Sequence, residues 1–327
     1  MAVDRKELRA YSMLGEQGAF FSRLAEHASK DDTFAVLAAD LAQSSGLGKF
    51  MRDCPNQFYN VGIAEQNMLG IAAGLAKTGF HVFAVTFANF ITMRSCEQIR
   101  VHLGYMKFPI KLIGTRAGIV NGPLGNSHYC IEDIALMRVI PNLVIVSPAD
   151  AFEAVKAADA AVKSDLPMYI RLTGKFNTPM VYKEDYNFRL GKAVTLREGT
   201  DVAIFATGTM AANAIKAAQL LEENGISTAV INMHTIKPLD TDILDYYVNS
   251  VKLWVSLEEH NVIGGLGSAI AEYKATKSNT PPQLFLGLPD VYGEAGEYDW
   301  LLDKYGLTSK KISEQIKEKT ERVFSQG

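Results

Sequence analysis

Hydrophobic positions in this chain fall in short unbroken runs. TFAVLAAD, HVFAVTF, IKLIGT, LVIVS and MYIRL read as strands apolar on both faces. Between them lie the Ala-rich or amphipathic stretches GIAEQNMLGIAAGLA, FITMRSCEQIRVHL and AFEAVKAADAAVKS, which read as helices. Strand then helix, repeated, predicts a parallel sheet covered on both faces. The pattern breaks between residues 174 and 190 into GKFNTPMVYKEDYNFRL, rich in polar and aromatic residues. It restarts with DVAIFATGT, AIKAAQLLEENG, STAVINM, KLWVSL, GSAIAEYKA and QLFLGL. The expected architecture is α/β, with two doubly wound domains, 1–173 and 191–327, joined by a linker at 174–190.

Composition bounds the function. With 327 residues, 48% of them hydrophobic, the chain can bury a substantial core. Lys and Arg number 33 against 36 Asp and Glu, a net charge of -3, so no global basic field invites nucleic acid or acidic membranes. Any anion site must be local. No run approaches the ~18 apolar residues of a spanning helix, and MAVDRKELRA is charged with no apolar stretch behind it, which argues against a secretory leader. Cys54, Cys96 and Cys130 lack CxxC spacing, which argues against a disulfide framework or a thiolate metal site. The expected location is the reducing cytoplasm.

One charge stands out. From Pro55 to Ala76 the only charged side chain is Glu65. A carboxylate kept among Val, Ile, Met, Leu, Ala and Gly tends to lose water, at a cost of several kcal/mol unless a partner compensates it. In the plainer reading, Gly62 caps a helix and Glu65 is its third residue, complementing the helix dipole as in a capping box. The other reading rests on Gly70, Ala72, Ala73 and Gly74, which strip bulk from the helix and let another backbone, even another subunit's, approach closely. A carboxylate at such a seam suits thiamine diphosphate, whose pyrimidine ring is activated by an acid bonded to a ring nitrogen.

FYNVGIAEQNMLGIAAGLA resembles the pyrimidine-domain signature of transketolases and their relatives, the deoxyxylulose phosphate synthases and the second subunit of the first component of 2-oxo acid dehydrogenases. The resemblance continues through VLAADLAQS, VTFANF, GTRAGI, SHYCIEDIALMRVIPNLVIVSPAD, INMHTIKPLD, SLEEHNVIGGLGSAIAE and YGEAGEYDWLLDKYGLT. The last stretch is similar to the C-terminal half of split, two-subunit transketolases. By this resemblance, 1–173 is a thiamine pyrimidine-binding domain and 191–327 a transketolase C-terminal-type domain.

The resemblance implies roles residue by residue. Glu65 is the cofactor-activating acid. Phe87 and Phe90 cradle the pyrimidine, and Asp40, at the end of a strand, lies near the cofactor. His128, in LGNSHY, faces the sugar, bonding its oxygens and assisting proton transfer. Arg116, in GTRAGI, stands where transketolases have a phosphate-contacting histidine, and its fixed fork suits a phosphate or sulfonate. Ser44 and Lys175 complete the expected substrate side. Without the resemblance, Phe87 and Phe90 read as core, Asp40 as a strand terminator, His128 as a surface residue and Arg116 as half of a salt bridge. His234, Glu258, Glu259 and His260 are given no chemistry. GGLGS, 264–268, lacks full GxGxxG spacing and reads as helix packing.

Two features set this chain apart. No GDG motif occurs, so the diphosphate and a divalent metal such as Mg2+ are expected on a partner, an N-terminal transketolase subunit carrying GDG, in an α2β2 heterotetramer. The chain also departs from transketolases at Leu124, where an aspartate that contacts a sugar hydroxyl is usual, at Ser12, where many carry a phosphate-binding arginine, and at Gly174, where a second basic residue is usual. The expected activity is transfer of a two-carbon ketol unit between a ketose and an aldose, with a branched sugar phosphate or sulfonated sugar preferred. Alternatives are a β subunit of a 2-oxo acid dehydrogenase first component, and a scaffold subunit of the same fold without catalysis.

Overall fold

The computed structural model describes residues 4–173, 176 and 178–325. The apolar runs of the first half form β1 (Phe34–Ala38), β2 (Phe58–Asn60), β3 (His81–Phe87), β4 (Lys111–Thr115), β5 (Val144–Val146) and β6 (Met168–Arg171). Those of the second half form β7 (Val194–Arg197), β8 (Val202–Ala206), β9 (Thr228–Asn232), β10 (Thr235–Lys237), β11 (Leu253–Asn261) and β12 (Gln283–Leu288). Two sheets result, ordered β10-β5-β6-β4-β3-β1-β2 and β12-β11-β8-β9-β7. All pairings are parallel except β10 with β5 and β7 with β9. β1, β4, β8 and β9 are buried along their whole length, as strands covered on both faces must be.

The chain order creates the site. From β1 the chain moves outward to β2, then crosses back over β1 to β3, so the strand order reverses between β1 and β3. Ligands in open parallel sheets bind at the carboxyl ends of the strands at such a reversal. There the Asn60 side-chain carbonyl accepts from the Asp40 N–H (3.2 Å) and the Gly62 N–H (3.0 Å), tying the ends of β1 and β2 together.

The two sheets are joined in three ways. β10, from the second half, adds itself to the edge of the first sheet beside β5. The segment after residue 177 is strapped down: the Tyr182 and Tyr186 hydroxyls donate to the buried Glu153 carboxylate, which also takes the Asn232 amide and the Ala149 N–H. Finally, the fully buried Arg171 donates Nε–H to Asp133 at 2.7 Å and Nη2–H to the Glu259 carbonyl at 2.8 Å.

Second-half acids serve the packing. Glu258 accepts the Leu266 and Gly267 N–H groups at 2.7 and 2.8 Å, and burial pushes its carboxyl up to about 7. Glu259 accepts the Ile119 N–H of the first half at 2.8 Å and the Tyr298 hydroxyl at 2.5 Å. In GGLGS, a Cβ on Gly265 would run into Glu258 and one on Gly267 into Phe285, so close packing accounts for those glycines.

Candidate active site

Glu65 opens the helix Glu65–Lys77 as its first residue, after Ala64. This differs from the expected cap at Gly62. Gly62 instead takes a left-handed conformation (φ 72°) in the turn out of β2, delaying the helix by two residues, and no side chain caps its start. The carboxylate therefore bonds no amide of its own helix. Only 6% of the side chain is exposed, and its partner is Arg94, whose Nη1 lies 2.7 Å from Oε1.

Arg94 comes from the wide-turned helical segment Phe90–Arg94 that follows β3. Such π-type turns rearrange side chains and recur at functional sites. Here the turn lays the Arg94 guanidinium over the Phe90 ring, 3.8 Å from its centroid. Phe90 in turn stacks with Phe87, centroids 5.8 Å apart, and His128 presents its ring in edge geometry to both, at 5.6 and 6.4 Å. The His128 Nδ1 lies 2.9 Å from the Ser127 hydroxyl. Glu65, Phe87, Phe90 and His128 thus form one connected group, and Arg94 is the member that sequence reasoning missed. Its signal was available: Phe90 and Arg94 are four residues apart, the spacing of a ring and a cation sharing one helix face.

A cavity of about 820 Å³ is lined among others by Gln17, Ser44, Arg116, Asn121, Leu124 and Tyr298; none of the group's side chains lines it, and the link between them is the Asn121 amide, which donates to the His128 carbonyl at 3.5 Å. Arg116 follows β4 in a left-handed conformation (φ 57°), unusual for a residue with a side chain. Strain of this kind persists where the surroundings enforce it. Burial pulls its guanidinium below the usual range, and among the described residues its side chain makes one hydrogen bond, a long one, Nε–H to the Ser44 carbonyl at 3.3 Å. No carboxylate pairs with it among the described residues. A half-buried cation facing a cavity without a counter-ion is chemically ready for an anion.

The remaining expected positions are spread around these two features. Asp40 follows β1, exposed and left-handed (φ 65°), and does not line the cavity. Leu124 does line it, 55% exposed, so an apolar side chain faces the space. Ser12 does not reach the cavity. Its hydroxyl donates to the Thr178 carbonyl at 2.9 Å, and past the kink at Gly15 (φ 67°) the wall is made by Leu14, Gly15 and Gln17. Gly174 and Lys175 lie outside the described residues. Among the described residues no cluster of three His, Cys, Asp or Glu side chains is placed to hold a metal, and no helix is long and apolar enough to cross a membrane.

A doubly wound sheet with a buried acid and an aromatic platform at its strand reversal, and a separate cation-lined cavity, makes this an α/β protein with the elements of a ligand site. The family model of the transketolase pyrimidine binding domain matches residues 17–177, and that of the transketolase C-terminal domain matches 191–312. The chain belongs to the transketolase family. It is 39% identical over 300 residues to a 6-deoxy-6-sulfo-D-fructose transketolase subunit of Clostridium sp. strain MSTE9, covering 91% of this chain and 92% of that protein. It is 36% identical over 304 residues to an apulose-4-phosphate transketolase subunit of Phocaeicola vulgatus, covering 93% of this chain and 96% of that protein. A solved split-gene transketolase, described as an inactive β4 tetramer, superposes with a TM-score of 0.84 at 38% identity, covering 95% of this chain and 98% of that one.

Proposed function

We propose that this chain is the C-terminal subunit of a split, thiamine diphosphate-dependent transketolase, active with a partner that supplies the diphosphate and Mg2+ contacts. The observation that carries the reading is a buried carboxylate, paired with Arg94, beside an aromatic face at the strand reversal. The residues fit a flat, nitrogen-bearing ring. Phe90 and Glu65 already receive a planar donor group from Arg94. When bound, thiamine diphosphate supplies the carbon that takes up the two-carbon ketol unit.

In this reading Glu65 holds a proton at the pyrimidine nitrogen, and Phe87 with Phe90 fixes the ring plane. Asp40 lies beside the cofactor, and His128, steadied by Ser127, bonds the sugar oxygens and moves a proton there. Arg116, Ser44 and Lys175 take the anionic end of the sugar. Leu124 leaves part of the wall apolar, which favours a sugar with a missing or altered hydroxyl: a branched sugar phosphate or a sulfonated sugar. Gly70, Ile71 and Gly74 lie exposed on the Glu65 helix, with Ile63 exposed just before it, and no neighbour lies within 4 Å of where a Cβ would stand on either glycine. This small-residue face is where the partner docks, in an α2β2 heterotetramer.

The test is reconstitution with a diphosphate-domain subunit. Ketol transfer should appear only in the mixture, without lipoamide. Glu65→Gln should slow C2 proton exchange on the cofactor by ~10²–10⁴-fold while leaving assembly intact. Full turnover by this chain alone, or wild-type exchange rates in the variant, refutes the reading.

A further inference from the structure

Arg94 occupies two contacts at once. Its guanidinium covers the Phe90 face at 3.8 Å and donates to Glu65 at 2.7 Å, and no other side-chain partner holds it among the described residues. Its main chain is anchored separately, the carbonyl accepting from the Gln66 amide at 2.9 Å. The side chain is 45% exposed, so a few torsional changes would carry it into solvent. Glu65, by contrast, is buried and has no other hydrogen-bond partner among the described residues.

The chemistry of the occupant matters. A guanidinium is planar, delocalised and cationic, with N–H groups in its plane. A protonated aminopyrimidine shares those properties: a delocalised positive charge, an in-plane ring N–H that donates to a carboxylate, and a flat face that stacks on an aromatic ring. Arg94 therefore meets the same two demands, a counter-charge for the buried acid and a cover for the exposed ring.

We propose that Arg94 is a built-in stand-in for the cofactor's pyrimidine. It fills that seat in the cofactor-free chain, pairs Glu65 and covers the platform, and leaves when the pyrimidine enters. The proposal rests on the cofactor reading above and adds a competition between side chain and ligand. The contact couples the two: whatever favours the outward Arg94, such as a partner subunit offering it a carboxylate, favours cofactor binding.

Titration calorimetry with thiamine diphosphate and Mg2+ tests this on the reconstituted pair, comparing wild type with Arg94→Met. Releasing a half-exposed ion pair and a cation–π contact should tighten binding roughly five- to thirty-fold. Arg94→Gln, which keeps a planar amide able to bond Glu65, should fall between the two and guards against a folding defect in the first variant. The cofactor-free Arg94→Met chain should also be less stable than wild type, because the buried Glu65 side chain loses its hydrogen-bond partner. Unchanged or weaker binding in both variants, with the wild-type pair binding normally, overturns the proposal and leaves the cofactor reading standing. Absence of binding in the wild-type pair overturns both.

Discussion

Replacing Arg171 by Met probes how the two halves are held together. Arg171 closes β6 with its side chain fully buried. It is bonded to Asp133, which also takes the Tyr169 hydroxyl at 2.6 Å, and to the Glu259 carbonyl across the domain junction. Methionine fills a similar volume but leaves the Asp133 carboxylate, itself 0% exposed, with one neutral donor. Removing one partner of a buried pair typically costs ~3–5 kcal/mol, because the other charge is stranded. That is roughly a 10²–10⁴-fold rise in the unfolding constant. Urea unfolding at neutral pH measures it. The double variant Arg171→Met/Asp133→Leu removes both charges and should recover most of the loss, since the desolvation cost disappears with the pair. A loss below ~1 kcal/mol in the single variant, or a double variant no more stable than the single, refutes this account of the junction.

Three further outcomes are expected. Burial holds His260 down to about 4 from 6.5, with Nδ1–H bonded to the Asn261 carbonyl. The unfolded chain takes up a proton near pH 6.5 that the folded chain refuses until about 4, so this contribution is full above 6.5 and is lost as pH falls through that window. From pH 7 to 5 the loss is about 2 kcal/mol, and His260→Gln should lose that much less stability over the same range; parallel pH profiles would contradict it. Gly118→Ala puts a Cβ into the Glu259 carboxylate at a φ of 73° and should cost at least ~2 kcal/mol in urea unfolding, whereas an Ala tolerated without loss would mean the junction yields easily. Leu124→Asp in the reconstituted enzyme should raise kcat/KM for xylulose 5-phosphate relative to a sulfonated sugar by ~10-fold or more, the worth of a charged hydrogen bond to a hydroxyl. An unmoved ratio would mean that Leu124 does not set specificity.

The strands were legible because burial on both faces leaves little choice of residue: HVFAVTF became β3 over His81–Phe87 and IKLIGT became β4. The positions just past the strand ends followed, since a parallel sheet gathers its loops at one edge. What the sequence hid is non-local. The four-residue spacing of Phe90 and Arg94 pairs those two, but nothing local shows that Arg94 meets Glu65, 29 residues earlier, through a π-type turn. Asp133 and Arg171 were given no role from the sequence, 38 residues apart as they are, and their pairing with each other and with the Glu259 carbonyl appears only in the fold. The helix Arg5–Ala28 was also missed, because Gly15 and a run of charges mask its apolar face. The start of the Glu65 helix was misplaced for a related reason. Gly62 suits a cap in sequence, but its left-handed conformation spends that freedom on the turn.

β10 makes the division into two halves less clean than the repeated strand–helix pattern implies. Cutting the polypeptide after residue 173 would strip β5 of its outer neighbour, leaving a row of unpaired N–H and C=O groups along a hydrophobic strand. Such an edge recruits other strands, so a liberated first half would be prone to self-association. The second half would carry away a short strand with no sheet of its own to join. Two chains carrying these halves separately would have to rebuild that strand pairing between them.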